Sequence, residues 1–388
     1  MTRRSLHRFL WSVAILVLAY AFITTFVMHV RYVDSGSMEP TIFGSEKNGE
    51  SVLVRLDKSL PNRFDLVVLN SPENGLLVKR VWGLPEEKIS IRNGDVYVDD
   101  SLLPNGGARP NPITVFDYRW HALEEYFVTK DTPWTRDGDS WLVSAEDVEP
   151  YSEGAMIFLH KKVQDSYLDR DHRIIQGTQV VNDLVARLEL RFEERVNGGS
   201  FRIDLRECED SFEALIEPID DARARVTITR SNAEVSREVL SQEELAFTNR
   251  DWNAVEFSNI DNQLELKILT AGGEEGSVVS SYEVNSFDPL DDYRSGKTLA
   301  HQVQFAAARS QLRVRSVQLA RDLFFNARGR HATRAPIQLG LDQILVLGDN
   351  SGRSRDSREF GAVDRDQIYG RAVQVVWPFS SWRSLTGK

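Results

Sequence analysis

One long apolar run opens the chain, and after it the hydrophobic period changes. Phe9 to Val30 contains no Asp, Glu, Lys or Arg. As a helix rising 1.5 Å per residue it would extend about 33 Å, close to the ~30 Å of a bilayer hydrocarbon core. From Arg31 onward the apolar residues come in short groups rich in branched side chains: Val52-Leu53-Val54, Leu66-Val67-Val68-Leu69, Leu77-Val78 and Ile89-Ser90-Ile91. Turn-forming residues separate them at Pro61-Asn62, Ser71-Pro72, Gly83-Leu84-Pro85 and Asn93-Gly94-Asp95. Asn93-Gly94 ahead of Val96-Tyr97-Val98 predicts a hairpin. Strands are also predicted at Ile344–Leu347 and Arg371–Trp377. In between, Phe201-Ile203-Leu205, Val226-Ile228, Val255-Phe257 and Leu264-Leu266-Ile268 alternate with polar neighbours, as half-buried strands do. The expected fold class is all-β, a bent sheet or open barrel with a second β-rich body, behind one N-terminal transmembrane helix.

Charge fixes the expected topology. Arg3, Arg4 and Arg8 precede the apolar run, and Arg31 is the cation close behind it. The positive-inside rule then leaves residues 1–8 in the cytoplasm, residues 9–30 in the bilayer and the rest outside. The competing reading is a secretion signal cut after Ala19-Tyr20-Ala21, which would leave Phe22 to Val30 as an apolar tail. With 388 residues, a net charge of −11 and a pI near 5.3, the chain has room for two soluble domains and lacks the basic surface that nucleic acid requires. Cys208 is the single cysteine, so no intrachain disulfide forms. It sits between Glu207 and Glu209, an acidic setting that disfavours a reactive thiolate. Asp165, Asp169, Asp171 and His172 have metal-ligand chemistry, but in a polar loop they read as a solvated surface.

The candidate chemistry lies in three patches. Ser37 stands in Ser35-Gly36-Ser37-Met38-Glu39-Pro40-Thr41, where Gly36 permits a tight backbone and Pro40 fixes the chain that follows. An extended chain from Val30 to Ser37 reaches at most about 25 Å, which keeps this serine near the membrane surface. Lys79 lies in Leu76-Leu77-Val78-Lys79-Arg80-Val81-Trp82, a strand that could bury it. A free lysine is neutral only about once in a few thousand at pH 7, and burial lowers its pKa toward the range of a working base. The third patch is Gly348-Asp349-Asn350 followed by Ser354-Arg355-Asp356-Ser357-Arg358.

In this order behind an apolar anchor, the three patches resemble the bacterial type I signal peptidases (leader peptidases), which cut signal peptides from exported proteins with a serine and a lysine. The resemblance implies Ser37 as nucleophile and Lys79 as general base. The Ser35 hydroxyl and the Ser37 N–H would be the oxyanion donors, with Ser354 bonded to the Lys79 amine. Arg80, Asp349, Asp356 and Arg358 would form a supporting ion-pair shell. Shallow pockets for small residues at the first and third positions before the cut would be lined in part by Met38, Leu76 and Val78. Secretory preproteins are the implied substrates and the lipid bilayer the implied partner, with no metal or nucleotide cofactor and no nucleic acid. The location would be the outer face of the cytoplasmic membrane. Glu86-Glu87 depart from the family's usual Gly-Asp at that place.

The same resemblance implies a catalytic β domain assembled from residues 32–106 and 338–380, with 107–337 as an insert. Within the insert, the wording of Trp252 to Leu264 is similar to laminin-G and legume-lectin sandwiches, which places a possible sandwich at about 184–268. Two rival functions share parts of the pattern. A self-cleaving repressor of the serine–lysine type would carry an N-terminal DNA-binding domain where this chain has its apolar run. A membrane-tethered binding protein with an inactive peptidase core and a ligand-binding sandwich would not need Ser37, Lys79 and Ser354 together.

Overall fold

A computed structural model of the chain describes residues 11–14, 27–71, 75–103, 109–150, 152, 155–282 and 301–386. It is all-β, with a nearly closed barrel-like sheet. The chain divides into two compact units, one made of residues up to Pro110 together with Phe325 onward, the other of Asn111–Phe324.

In the first unit, antiparallel strands lie in the order Met28–Tyr32, Ser51–Arg55, Ile368–Trp377, Leu66–Ser71, Gly75–Gly83, Gln343–Leu347 and Val363–Asp364. Strands from both ends of the chain therefore alternate within one sheet. Leu66–Ser71 shows why its sequence is a continuous apolar run. Leu66 and Val68 pack with Val52, Val54, Ala372 and Val375 in one core, while Val67 and Leu69 pack with Val81, Ile344 and Val346 in another. Alternate side chains of a strand point to opposite faces, so a strand covered on both faces has no polar positions to show. A smaller sheet joins Ile337–Gln338, Lys88–Arg92, Asp95–Val98 and Ser101–Leu102. Its Asn93-Gly94 turn has φ values of 53° and 104° between the paired Arg92 and Asp95, the left-handed pair that a two-residue hairpin needs.

Most of the expected membrane helix, residues 9–10 and 15–26, falls outside the described residues. Trp11–Ala14 is helical, and no helix among the described residues is long and apolar enough to cross a membrane. The expectation of helix through Val30 fails for its last residues. Met28, His29 and Val30 are strand, paired with Arg55, Val54 and Leu53. The strand lies at the sheet edge and pairs with Ser51–Arg55 on one side, and His29 and Arg31 both hydrogen-bond the Tyr369 hydroxyl.

The second unit is built around two long strands, Leu184–Glu207 and Val303–Arg321, which pair antiparallel with register shifts at Arg187/Glu189, Phe192/Glu194 and Arg195/Ser200. Such irregularities let a long strand bend. The first half of Leu184–Glu207 pairs with Asn253–Ile260 and the second half with Asp210–Pro218. Phe201, Ile203, Leu205, Val226, Ile228, Val255, Phe257, Leu264, Leu266 and Ile268 are all buried in one core, as their alternation predicts. Asp165 and Asp169 serve turns. The first takes the Thr178 and Gln179 N–H groups, and the second takes those of Asp171 and Arg173.

Candidate active site

Ser37 sits in a single 3-10 turn, Gly36–Met38, that follows the exposed Ser35. The Glu39 N–H closes the turn by donating to the Gly36 carbonyl at 3.3 Å. Met38 is 1% exposed and packs into the core with Val33 and Ile42, which pins the turn from below. From above, Asn350 clamps it. The Asn350 N–H donates to the Ser37 carbonyl and its side-chain amide donates to the Gly36 carbonyl, each at 3.1 Å.

Lys79 enters from the Gly75–Gly83 strand, whose outer end is exposed and whose inner half, Lys79 to Gly83, is buried. Its Nζ lies 2.6 Å from the Ser37 Oγ, and both residues are buried. Burial pulls the Lys79 amine down from 10.5 to about 8. The Asp356 and Asp349 carboxylates oppose that shift and the Arg358 guanidinium adds to it. Loss of hydration outweighs the attraction of two nearby carboxylates because those carboxylates are already committed elsewhere.

Their commitments are two buried ion pairs. Arg80 holds Asp349 through Nε to Oδ1 at 2.9 Å and through its second nitrogen to Oδ2 at 2.6 Å, and the Thr41 hydroxyl donates to Asp349 Oδ2 at 2.5 Å. Arg358 holds Asp356 with two bonds of 2.9 Å and also donates to Ser351 and Asn326. Asp356 in turn accepts the Gly348 N–H at 3.0 Å. This ties the end of the Gln343–Leu347 strand to the loop after it. Gly348 must be glycine: a Cβ there would lie 2.2 Å from the Ser354 Oγ and 2.6 Å from the Ser37 carbonyl oxygen.

The expected hydrogen bond from Ser354 to Lys79 is not formed. The Ser354 Oγ is buried against Gly348 with no partner among the described residues. A buried hydroxyl without a partner costs free energy, and this one stands at the edge of the Ser37 turn. Of the expected pocket residues, Met38 is core, Val78 packs partly against the same core and Leu76 is 40% exposed. Arg353 faces Glu39 at 3.7 Å and Arg355 faces Glu359 at 3.6 Å. The Glu86-Glu87 departure also has a structural account. Glu86 carries the turn at φ 68°, and Glu87 accepts the Leu84 N–H while pairing with Arg63. Sequence reasoning did not single out Thr41, Asn350 or Ser351, although the first two lie inside patches that carried the resemblance and Ser351 directly follows one.

The family described as "Signal peptidase, peptidase S26" matches residues 6–187 and 300–377. "Probable signal peptidase I-2" of Synechocystis sp. is 32% identical over 90 residues, which is 21% of this chain and 40% of that protein. "Signal peptidase IB" of Staphylococcus aureus is 54% identical over 41 residues, 11% of this chain and 22% of that protein. The chain thus spans less than half the length of either relative. Among solved structures, a carbohydrate-binding module CBM66 from Bacillus subtilis is similar at 8% identity over 50% of this chain and 94% of that one, with a TM-score of 0.32. At that score the likeness establishes neither a fold nor a ligand.

Proposed function

Since the chain belongs to the peptidase S26 signal peptidase family, we propose that it is a membrane-bound serine endopeptidase that removes N-terminal signal peptides from exported preproteins with Ser37 and Lys79. The observation that carries this reading is the 2.6 Å approach of the Lys79 Nζ to the Ser37 Oγ in a buried setting. With its pKa near 8, Lys79 is neutral in about one molecule in ten at pH 7, a few hundred-fold more often than in water.

In the proposed reaction the Ser37 Oγ attacks the scissile carbonyl carbon while its proton passes to the neutral Lys79 amine. The tetrahedral oxyanion is met by the Ser37 N–H and the Ser35 hydroxyl, and each such donor lowers the barrier by roughly 3 kcal/mol. Lys79, now an ammonium, returns the proton to the leaving amine, which frees the mature protein. Water activated by the same amine then hydrolyses the acyl ester on Ser37 and releases the signal peptide. Asn350 and Met38 hold the nucleophile turn, and the Arg80–Asp349 and Arg358–Asp356 pairs hold the strand and loop that carry Lys79 and Gly348. Residues 9–27 supply the anchor ahead of the Met28–Tyr32 strand, and the bilayer keeps the substrate's cleavage site within reach of Ser37.

The test is incubation of the full-length protein, solubilised in detergent, with a preprotein, followed by N-terminal sequencing of the product. Wild type is expected to cut once, after a small residue at the end of the signal peptide. Ser37→Ala and Lys79→Ala are expected to leave the preprotein intact with the fold unchanged by circular dichroism. Substantial cleavage by either variant would refute the assignment.

A further inference from the structure

The second unit contains a pocket of about 290 Å³ that takes no part in the chemistry above. That volume lies at the lower end of the ~300–1,000 Å³ found for small-molecule sites. Its floor is apolar, made by Val115, Phe116, Leu159 and Leu319, and its charged lining residues are Lys161 and Lys162. The Lys161 ammonium stands 4.5 Å from the centre of the Tyr126 ring, which also lines the pocket. A cation held over an aromatic face that lines the pocket is kept beside it instead of ranging through solvent.

The lip of the pocket is built, not loose. Residues 163–181 fold back on themselves through the paired Tyr167–Leu168 and Ile174–Ile175 strands. Gln302, 2% exposed, closes the neck: its Oε1 accepts the Val163 N–H at 2.6 Å and its Nε2 donates to the Val181 carbonyl at 2.8 Å. Asp165 Oδ1 accepts the Thr178 and Gln179 N–H groups, and a Cβ on Gly177 would lie 2.1 Å from that same oxygen. The lip carries Gln164, Ile174 and Gln176 into the pocket wall. A wall already held in place spends little binding energy on ordering itself.

We propose that this pocket binds a small amphiphilic carboxylate, with an apolar body of roughly six to eight carbons on the Phe116–Leu319 floor and the carboxylate at Lys161 and Lys162. A cationic amphiphile would meet two ammonium groups, and a neutral one would leave both unused. Charge complementarity therefore selects the anion.

Ligand-observed saturation-transfer NMR on the full-length protein tests this with hexanoate, hexylammonium and hexanol as probes. Hexanoate is expected to bind, hexanol more weakly and hexylammonium not at all. The double variant Lys161→Glu/Lys162→Glu changes two exposed side chains and is expected to keep its circular dichroism spectrum. It should weaken hexanoate about tenfold while leaving hexanol unchanged. The same variant separates pocket binding from partition into detergent, which the substitutions do not affect. Equal hexanoate affinity in wild type and variant, or hexylammonium binding as well as hexanoate, overturns the proposal.

Discussion

Replacing Lys79 with methionine should stabilise the first unit at neutral pH while removing its chemistry, and the size of the effect follows from one buried amine. The Lys79 pKa is 10.5 when solvated and about 8 in the fold. Below pH 8 both folded and unfolded chains are protonated, so the fold carries the full cost of a buried ammonium. Between pH 8 and 10.5 the folded chain has lost that proton and the unfolded chain has kept it, so stability rises with pH. Above 10.5 the cost is gone. A shift of that size corresponds to about 3 kcal/mol. Methionine fills nearly the same volume without charge, but it leaves the Ser37 hydroxyl without its partner, at about 1 kcal/mol at every pH. Lys79→Met is therefore expected to be more stable than wild type by about 2 kcal/mol at pH 7 and less stable by about 1 kcal/mol above pH 10.5. Urea unfolding followed by tryptophan fluorescence at the two pH values measures the difference, read on the transition that moves with the substitution. A gap of the same sign and size at both pH values would refute the reasoning, because the ammonium would then not be held at a cost.

Four further outcomes are expected, from three altered proteins. Asp356→Asn removes the larger of the two carboxylate contributions that hold the Lys79 pKa up, so the midpoint of the pH–rate profile should move to lower pH; a move to higher pH counts against it. The same change leaves Arg358 buried beside a neutral partner, and urea melts should show a loss of about 3 kcal/mol or more. Asn350→Ala removes the side-chain hydrogen bond to the Gly36 carbonyl and should lower kcat about tenfold with KM little changed, whereas a change confined to KM would place Asn350 in substrate binding. Bridging the first unit with a Gly/Ser linker in place of Asn111–Phe324 should leave cleavage of a short signal-peptide substrate measurable; a folded, inactive product would show that the second unit contributes to the chemistry.

The sequence was most readable where one local rule decides the structure. Asn93-Gly94 marks its hairpin because both residues tolerate positive φ, and the values of 53° and 104° bear that out. Strands such as Phe201-Ile203-Leu205 show their alternation because the opposite face carries charged side chains, here Arg202 and the buried Asp204, which pair with each other. The junction after the N-terminal run was harder. A bilayer and a sheet interior both select apolar residues, so nothing in Met28-His29-Val30 says where a helix would have to give way to the strand paired with Leu53–Arg55. The long strands of the second unit were legible only in pieces, because register shifts interrupt the alternation within Leu184–Glu207. In the candidate site, Ser37, Lys79 and the ion-pair residues Arg80 and Arg358 were legible through the motifs that resemble the family, not through their local surroundings. The Asn350 clamp was not, because a backbone N–H and a side-chain amide that each bond a carbonyl leave no pattern in the chain. Ser354 shows the opposite limit: its place beside the site was anticipated, and the bond expected of it is absent.

The central claim is that a buried lysine, neutral part of the time, activates Ser37, and the pH dependence of kcat/KM on a signal-peptide substrate measures that most directly. Between pH 6 and 10 the full-length protein is expected to gain activity about tenfold per unit at first and to level off around the Lys79 pKa of about 8. A profile that is flat from pH 6 to 9 would contradict the account, since no group losing its proton in that range would then be required for the reaction.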